Sequence, residues 1–340
     1  GGELAVVHEN GLGQDLAEDH IQHGAAGEAQ AQGQTHGADL AQRIAQQSAH
    51  KGNRTISGVV GVELALEETG ELIHQQTESG AALARQDYVM EIGALTPGTY
   101  DIVAWCGDGL YEENFIVPDA TPGSTPMEEL TCRMERENGG LVKDDVKQLF
   151  HGKKRVTFED TYGTHVDTLS LIKNTNNVRV ILQHLSGVDV DKDLFRFEIK
   201  DENGFMAHDN TLIEDEVIIY SPWSVTAGSA GIDADIYGTK AAQTSVSVAL
   251  AEFTVARLMT DRNPVLAIYN NKTDEQVLAI PLKDYALLVK GNYNKNMSDQ
   301  EYLDRQDEYN LTFFLDEFGN WASSRIIINS WHLVLQDTEL

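Results

Sequence analysis

The sequence predicts an all-β protein made of two antiparallel β-sandwich domains with short helices. Short apolar runs rich in Val, Ile, Thr and aromatic residues recur along most of the chain, and Gly, Pro, Asn and Asp separate them. Strands this short and this often interrupted are typical of sandwiches and not of parallel βαβ sheets. With 340 residues, of which 41% are hydrophobic, the chain can bury a core without disulfides.

Residues 1–56 differ in composition from the rest of the chain. They are rich in Gly, Ala and Gln, and none of the 10 Phe, 4 Trp and 11 Tyr residues lies before Tyr88. Such a segment lacks the apolar bulk that offsets the entropy cost of ordering. We therefore expect an atypical, low-complexity and poorly ordered N-terminal segment over residues 1–56.

The first sandwich domain is expected over residues 57–153. Its apolar runs predict strands at residues 59–66, 88–92, 99–105 and 112–117. Residues 141–150 carry apolar side chains at helical spacing, which predicts a helix, and Gly152 ends it. The end of this helix is the predicted domain boundary.

The second sandwich domain is expected over residues 154–340. Ser298 and Glu301 form a capping box, which predicts a short helix to about Gln306. After it, Trp331, Leu333 and Leu335 alternate with polar or smaller residues, which gives the last strand one apolar face. The other predicted strands of this domain are residues 155–159, 166–172, 178–185, 195–200, 217–220, 245–258, 265–269, 276–280, 309–315 and 321–329.

Composition and motifs argue against several function classes. The 54 Asp and Glu residues against 25 Lys and Arg give a net charge of -29, which disfavours nucleic-acid partners. The sequence has no complete Gly-rich phosphate loop and no rigid His or Cys frame for a metal. We therefore assign no catalytic residue, cofactor or metal, and expect a protein that is not an enzyme. Cys106 and Cys132 are either two buried thiols or one disulfide, and the sequence leaves both open.

Four stretches form an ordered set from the middle of the chain to its end. Residues 100–105 are a strand that ends in Ala-Trp, residues 149–152 read Leu-Phe-His-Gly, and residues 171–180 contain Lys-Asn-Thr-Asn. The last stretch, residues 308–337, contains the runs Phe-Phe-Leu-Asp and Ile-Asn-Ser-Trp. In content and order the set resembles the fimbrillin-associated anchor proteins of Bacteroides-type fimbriae, the FimB-like minor fimbrial lipoproteins. The resemblance covers about residues 85–340.

This resemblance implies two transthyretin-like β-sandwich domains with no catalysis and no cofactor. It implies a surface-exposed cell-adhesion protein of the outer membrane and the fimbrium, which anchors a fimbria and limits its length. One expected partner is the major fimbrial shaft subunit, which would bind by β-strand addition. The other is the outer membrane, reached through an N-terminal lipid anchor that is not visible in this chain.

The candidate residues for pairing with a partner strand lie near the end of the chain. Their one-sided apolar pattern fits a strand that is donated to a partner, and it fits equally a last strand that completes its own sandwich. The sequence leaves both alternatives open. The candidates are Ile326, Ile328, Trp331, Leu333 and Leu335.

Two further hypotheses follow from the sequence. Members of the resembling family usually begin with a signal peptide, a lipid-bearing Cys and a first strand that contains an aromatic residue. Because the start of this chain has no aromatic residue, we hypothesise that residues 3–65 are a divergent or shifted-frame segment. The alternative function is a secreted carbohydrate- or surface-binding sandwich module, in which an exposed Trp223 or Trp321 stacks on the ligand.

Overall fold

A computed structural model of the chain confirms the all-β fold class. The structure describes residues 3–10, 59–83, 88–93, 95–108, 110, 114–159, 163–231, 245–291, 294–329 and 331–334. Within these ranges most residues lie in strands, and the α-helices are two short ones. None of the helices in the described ranges combines the length and the apolar composition needed to cross a bilayer.

The first half of the chain contributes strands to a five-stranded sheet and a three-stranded sheet that pack on each other. In chain order its strands are β1 (Glu3–Asn10), β2 (Val59–Leu66), β3 (Leu72–Ser79), β4 (Val89–Ile92), β5 (Gly98–Gly107), β6 (Phe115–Ile116), β7 (Thr131–Met134), β8 (Leu141–Val142), β9 (Leu149–Phe158), β10 (Gly163–Ser170) and β11 (Ile172–Lys173). The five-stranded sheet has the order β11, β9, β5, β2, β3, and the three-stranded sheet has β1 between β10 and β4.

The second half forms a six-stranded and a five-stranded sheet. Its elements are β12 (Thr175–His184), β13 (Phe195–Asp201), β14 (Phe205–Ala207), β15 (Ile218–Tyr220), β16 (Ser224–Gly231), β17 (Ser245–Ala256), β18 (Val265–Asn270), β19 (Gln276–Pro281), α1 (Leu282–Leu288), α2 (Asp299–Arg305), β20 (Glu308–Leu315), β21 (Trp321–Ile328) and β22 (Trp331–Val334). The six-stranded sheet has the order β16, β17, β12, β20, β21, β22. The other sheet has the order β19, β18, β13, β15, β8.

Most strand pairs are antiparallel, as the sequence predicts, but three pairs are parallel. These are β1 with β4, β8 with β15, and β12 with β20. The central pair, β12 with β20, lies deep in the six-stranded sheet, where both strands carry alternating buried apolar residues. Burial of these side chains stabilises the pair whichever direction the two strands run.

The core lies on both faces of the five-stranded sheet, because β2, β5 and β9 have buried residues on each side. Val60, Val62 and Leu64 of β2 point into a first cluster, together with Tyr100 and Ile102 of β5. Residues of opposite parity, such as Val103 and Trp105, join a second and larger cluster that continues into the second half of the chain. A strand alternates its side chains between two faces, so one sheet serves both cores.

The two halves of the chain are interleaved. β8 of the first half pairs with β15 and is the edge strand of the five-stranded sheet of the second half. β6 and β7 of the first half form a separate three-stranded sheet with β14 of the second half, in which β7 is central. β9 spans the predicted boundary, and β10 and β11 were expected in the second domain, but all three belong to the sheets of the first half. The predicted boundary between residues 153 and 154 therefore falls inside β9, and the first sandwich extends to about Lys173.

The helix predicted over residues 141–150 is wrong. β8 occupies Leu141–Val142, β9 begins at Leu149, and no helix lies between them. Val142, Val146 and Leu149 are all buried in the second cluster. Their spacing fits a helix, but here strand pairing to β15 and β5 places them in the core without one. Tertiary pairing overrides a short periodic signal of this kind.

The helix predicted from Ser298 is confirmed. The Ser298 hydroxyl accepts a hydrogen bond from the Glu301 backbone N–H at 3.1 Å, and α2 follows. The sequence analysis did not identify α1, whose N-cap is Pro281 and makes no side-chain capping bond.

In the N-terminal segment, Glu3–Asn10 pair as β1, unlike the poorly ordered chain that the composition suggested. Residues 11–58 lie outside the described residues.

Candidate functional site

The candidate residues for partner binding meet at one edge of the six-stranded sheet. β21 and β22 form an antiparallel hairpin in which Ile326 pairs with Leu333 and Ile328 with Trp331. β22 is the last strand of this sheet and has one neighbour within the described part of the chain. The chain therefore completes its own sheet with the segment that the sequence offered either for self-completion or for donation.

The candidate side chains differ in what they can offer to a partner. Ile326 is 1% exposed and Ile328 is fully buried, and both belong to the second cluster. They hold the hairpin on its own sandwich, so a partner could reach them only after the strand moved. The side chains of Trp331 and Leu333, and the whole of Leu335, lie outside what the structure describes.

The main chain of β22 is the part that faces outward. The Asn329 N–H donates to the Asn310 carbonyl at 2.9 Å, so odd-numbered residues of β21 direct their backbone groups to β20. Backbone groups alternate in direction along a strand, so the even-numbered residues Ile326 and Ile328 direct their N–H and C=O groups to β22. Their partners there are Leu333 and Trp331. It follows that His332 and Val334 direct their N–H and C=O groups away from β21, toward the open edge.

The junction between the two halves is built on residues of the recognised motifs. Trp105 and His151 are cross-strand partners, with ring centroids 4.4 Å apart. The His151 Nε2 atom lies 2.9 Å from the His208 carbonyl oxygen, on the segment after β14. Burial lowers the pKa of His151 to about 4, so the ring is neutral and can donate this bond. The bond ties the first sheet to a loop of the second half.

The packing at the same place explains why residue 152 is a glycine. A Cβ atom at this position would meet the side chains of Leu169 and Leu171 and the backbone oxygen of Ser170 at 2.9 Å or less. Only glycine leaves room for β9 to pass this close to the end of β10. The His-Gly pair of the family motif is therefore explained by packing and hydrogen bonding inside the protein.

The Lys-Asn-Thr-Asn motif supplies a buried amide network. Asn174 and Asn210 exchange two side-chain hydrogen bonds of 2.6 and 3.1 Å. Asn176 donates to the Gln306 carbonyl at 2.8 Å and accepts from the Leu258 N–H at 3.0 Å. Because buried amides are stable only when hydrogen-bonded, this network defines one arrangement of the strands around it.

An ion pair that the sequence analysis missed completes the junction. Arg257 donates from Nε and Nη2 to the two carboxylate oxygens of Asp304, both at 2.7 Å, and from Nη1 to the Asn210 carbonyl at 3.3 Å. Both side chains are largely buried. The partners come from β17's end and α2, so no local sequence signal joins them, and only the fold brings them together.

Two carboxyl groups are buried with unsatisfied oxygens. Both oxygens of Glu63 in β2 and Oδ2 of Asp201 in β13 lack a hydrogen-bond partner in the described part of the chain. Burial raises the pKa of each to about 7, and for Glu63 the side chain of Gln75 lies close enough to lower the pKa in the opposite sense, although no hydrogen bond of good geometry joins them. Both groups are therefore largely protonated under mildly acidic conditions, when the cost of burying a charge is avoided.

The two cysteines are free, buried thiols. Cys106 belongs to the first cluster and Cys132 to the second, so they lie among different side chains. Burial raises the pKa of both thiols, and the Glu63 carboxyl adds to the shift. Of the two alternatives that the sequence left open, the structure has the unbridged pair.

Of the two Trp residues that the sequence offered for stacking on a ligand, the structure leaves one exposed. Trp321 packs edge-on against Phe313, with centroids 6.1 Å apart, and its Nε1 atom is buried. Trp223, which precedes β16, is 40% exposed. The described residues also contain no group of three or more His, Cys, Asp or Glu side chains placed to hold a metal ion.

Comparison with solved structures identifies relatives of the fold over most of the chain. An adhesin candidate from Bacteroides thetaiotaomicron is 29% identical with a TM-score of 0.71, and the match covers 83% of this chain and 91% of that one. A second protein of the same organism, described as a proposed polysaccharide-binding protein, is 28% identical with a TM-score of 0.69 and the same coverage. No protein with a curated description matches.

The fimbrial anchor protein Mfa2 from Porphyromonas gingivalis shares the fold. It is 14% identical, with a TM-score of 0.58 over 84% of this chain and 93% of that one. The sequence profile described as "Fimbrillin-A associated anchor proteins Mfa1 and Mfa2" matches residues 63–337, which include all the motif residues at the junction. The family profile thus spans both sandwiches and confirms the resemblance seen in the sequence. The chain belongs to the family of fimbrillin-A-associated anchor proteins.

Proposed function

We propose that the chain is a minor fimbrial subunit without catalytic activity, which anchors a fimbria to the outer membrane and limits its length. The match of the family profile over residues 63–337 carries this proposal. The fold supports it, because the motif residues are used for internal packing and hydrogen bonding and do not converge on a reactive group. A lipid anchor preceding the family domain would supply the membrane attachment.

The anchoring role is tested in the native organism. Deletion of the gene should release fimbriae into the medium and lengthen them, as measured by electron microscopy of cells and of shed material. Fractionation should leave the protein mainly with the membranes after fimbriae are sheared off. Fimbriae of unchanged length and attachment in the deletion strain would contradict the proposal.

We further propose that the shaft subunit binds by adding a strand to the open edge of β22. Main-chain hydrogen bonds supply the affinity in this mode of binding, so buried Ile326 and Ile328 need not move. His332 offers the outward N–H and C=O groups described above. The open edge and the backbone directions of the hairpin support this choice.

Proline at position 332 tests this mode of binding directly. His332→Pro removes the outward N–H and leaves the bonds between β21 and β22 in place, since proline is tolerated on an edge strand whose N–H faces solvent. We expect the variant to melt close to the wild type and to lose attachment of the shaft. His332→Ala is the matched control and should retain attachment. Normal fimbriation with His332→Pro would exclude strand addition at β22.

Carbohydrate binding is a second candidate function. It is favoured by the likeness to the proposed polysaccharide-binding protein, at 28% identity over most of both chains. The partly exposed Trp223 supplies one aromatic surface for it. Binding of soluble oligosaccharides, measured by calorimetry or ligand-observed NMR, tests this candidate without reference to fimbriae.

A further inference from the structure

An open groove of about 690 Å³ runs beside the small sheet of β6, β7 and β14 and the turn that joins β7 to β8. Its volume lies in the range of ligand sites in proteins. The groove is distinct from the β22 edge, which belongs to another sheet. The lining residues used below are Ile116, Arg133, Glu135, Arg136, Phe205 and Glu216.

Two arginines in this groove are held in place by one carboxylate. Asp215, whose side chain is 2% exposed, accepts from Arg133 Nη2 at 2.9 Å and from Arg136 Nη2 at 2.5 Å. Arg136 also donates from Nη1 to the Glu216 carbonyl at 3.4 Å. Charge-assisted bonds to a buried partner fix the guanidinium groups before any ligand arrives, which lowers the entropy cost of binding.

Arg133 is the group best placed to contact a ligand. Its Cζ atom lies 5.4 Å from the centre of the Phe205 ring, and its side chain is 48% exposed. The ring and Asp215 together set the plane of the guanidinium. Within the described part of the chain its Nε and Nη1 atoms make no hydrogen bond. A guanidinium has five N–H donors, so Arg133 keeps donors for a ligand in a fixed orientation.

The charges around the groove nearly cancel. Glu137 is paired with Lys143 at 2.7 Å, whereas Glu135 and Glu216 form no ion pair with any residue that the structure describes. A strongly anionic ligand such as a phosphate would be repelled by these groups and by a protein with a net charge of -29. The charged residues at the groove are Arg133, Arg136 and Lys143 against Glu135, Glu137, Asp215 and Glu216.

The groove also has an apolar wall and a rigid turn. Ile116 is 47% exposed, and Pro118, two residues further along the chain, also lines the groove. Gly140, at the end of the turn, has φ of +78°, and a Cβ there would clash with the Val217 backbone oxygen. Fixed donors, carboxylate acceptors and an apolar strip together suit a ligand that carries many hydroxyl groups and has apolar C–H faces.

We propose that this groove binds a neutral saccharide, with Arg133 donating to ring hydroxyls, Glu135 and Glu216 accepting from them, and Ile116 contacting a C–H face. The proposal rests on the second candidate function and names the place where it would occur. An apolar ligand would leave the fixed charges unpaired, and a small ion would not fill a groove of this size.

The test uses the full chain and three neutral probes, maltohexaose, cellohexaose and mannohexaose. Each is titrated up to about 10 mM with calorimetry and saturation-transfer NMR. We expect at least one probe to bind, and Arg133→Ala to weaken it at least ~10-fold. Arg133→Lys keeps the charge but loses the planar fork and should weaken binding as well.

Arg196 provides a matched control. It is 49% exposed, lies over the Tyr269 ring at 4.6 Å and pairs with Asp274 at 3.2 Å, but it does not line the groove. Arg196→Ala should therefore remove the same kinds of contact and leave saccharide binding unchanged. Thermal melts of both variants show whether any loss of binding is a loss of folding.

Each outcome of the titration decides the proposal. If no probe binds the wild type, both the groove and the carbohydrate function are overturned. If a probe binds and Arg133→Ala has no effect while Trp223→Ala abolishes binding, the function stands and the groove is wrong. If saccharides fail but purified fimbriae bind in a manner that Arg133→Ala removes, the groove is a protein-docking surface and the proposal is overturned.

Discussion

Both faces of the five-stranded sheet are buried by apolar side chains, but one face also carries buried polar groups. The face that packs on β10, β1 and β4 carries apolar side chains such as Val60, Val62 and Ile102. The opposite face, toward the second half of the chain, carries Trp105, His151 and, by strand alternation, Glu63. Apolar packing stabilises the fold but does not depend on the direction of each contact, whereas buried polar groups are stable only when hydrogen-bonded to particular partners.

This difference suggests what the family motifs do. The apolar face would tolerate changes of residue that conserve volume. The buried polar groups of the other face and the amides around Asn174 specify one orientation of the two halves, because another orientation would leave donors and acceptors unpaired.

Loss of the buried ion pair at the junction should have the largest effect. Arg257→Ala leaves the largely buried Asp304 carboxylate without its cationic partner, with one remaining hydrogen bond from Gln300, and we expect a loss of about 3–5 kcal/mol in the free energy of unfolding. Chemical denaturation monitored by Trp fluorescence measures it. If the junction only joins two independently stable sandwiches, the loss will be small.

Arg155 offers a matched control for this variant. It makes the same two-bond contact with Asp101, at 2.8 and 2.9 Å, but its own side chain is 56% exposed, whereas that of Arg257 is 10% exposed. Exposed ion pairs contribute little to stability. Arg155→Ala should therefore leave the denaturation midpoint almost unchanged, and an equal loss in both variants would contradict the contrast between buried and exposed pairs.

The protonation of Glu63 should have the next largest effect. Its pKa is raised from 4.5 to about 7, so the folded protein binds this proton more tightly than the unfolded chain does. The associated stability is fully present below about pH 4.5 and is lost as the pH rises through about 7. The shift corresponds to on the order of 3 kcal/mol, since one pKa unit is about 1.4 kcal/mol.

Glu63→Gln removes this titration and isolates it. At pH 8 the variant should be more stable than the wild type, and the difference should shrink toward pH 5. Contributions from Asp201 and His151, whose pKa values are also shifted, are common to both proteins and cancel in the difference. A difference that does not change between pH 5 and pH 8 would mean that Glu63 is not desolvated in solution.

Breaking the amide pair should have the smallest of the three effects. Asn174→Ala leaves the Asn210 amide buried without its partner, which costs about 1–3 kcal/mol. The double variant Asn174→Ala/Asn210→Ala should lose less than the sum of the single variants, because the two side chains are each other's partners. Additive losses would show that the pair acts through other contacts.

The sequence predicted local features better than long-range ones. The first predicted strand coincides with β2, and the capping box at Ser298 does start α2. The prediction of a helix over residues 141–150 failed because the same apolar spacing also occurs when two short strands, here β8 and β9, and the segment between them each bury a side chain. The partner role of Ile326 and Ile328 could not be judged from alternation alone, which is equal for a donated strand and for a core strand.

The sequence by itself determined the β class and the family, because these depend on composition, period and short motifs. Only the tertiary structure decided that β8 of the first half joins a sheet of the second half, that Arg257 meets Asp304 and that Asp215 holds two arginines beside a groove. Contacts of this kind join residues far apart along the chain. Their geometry is set by how the sheets pack, and no local pattern records it.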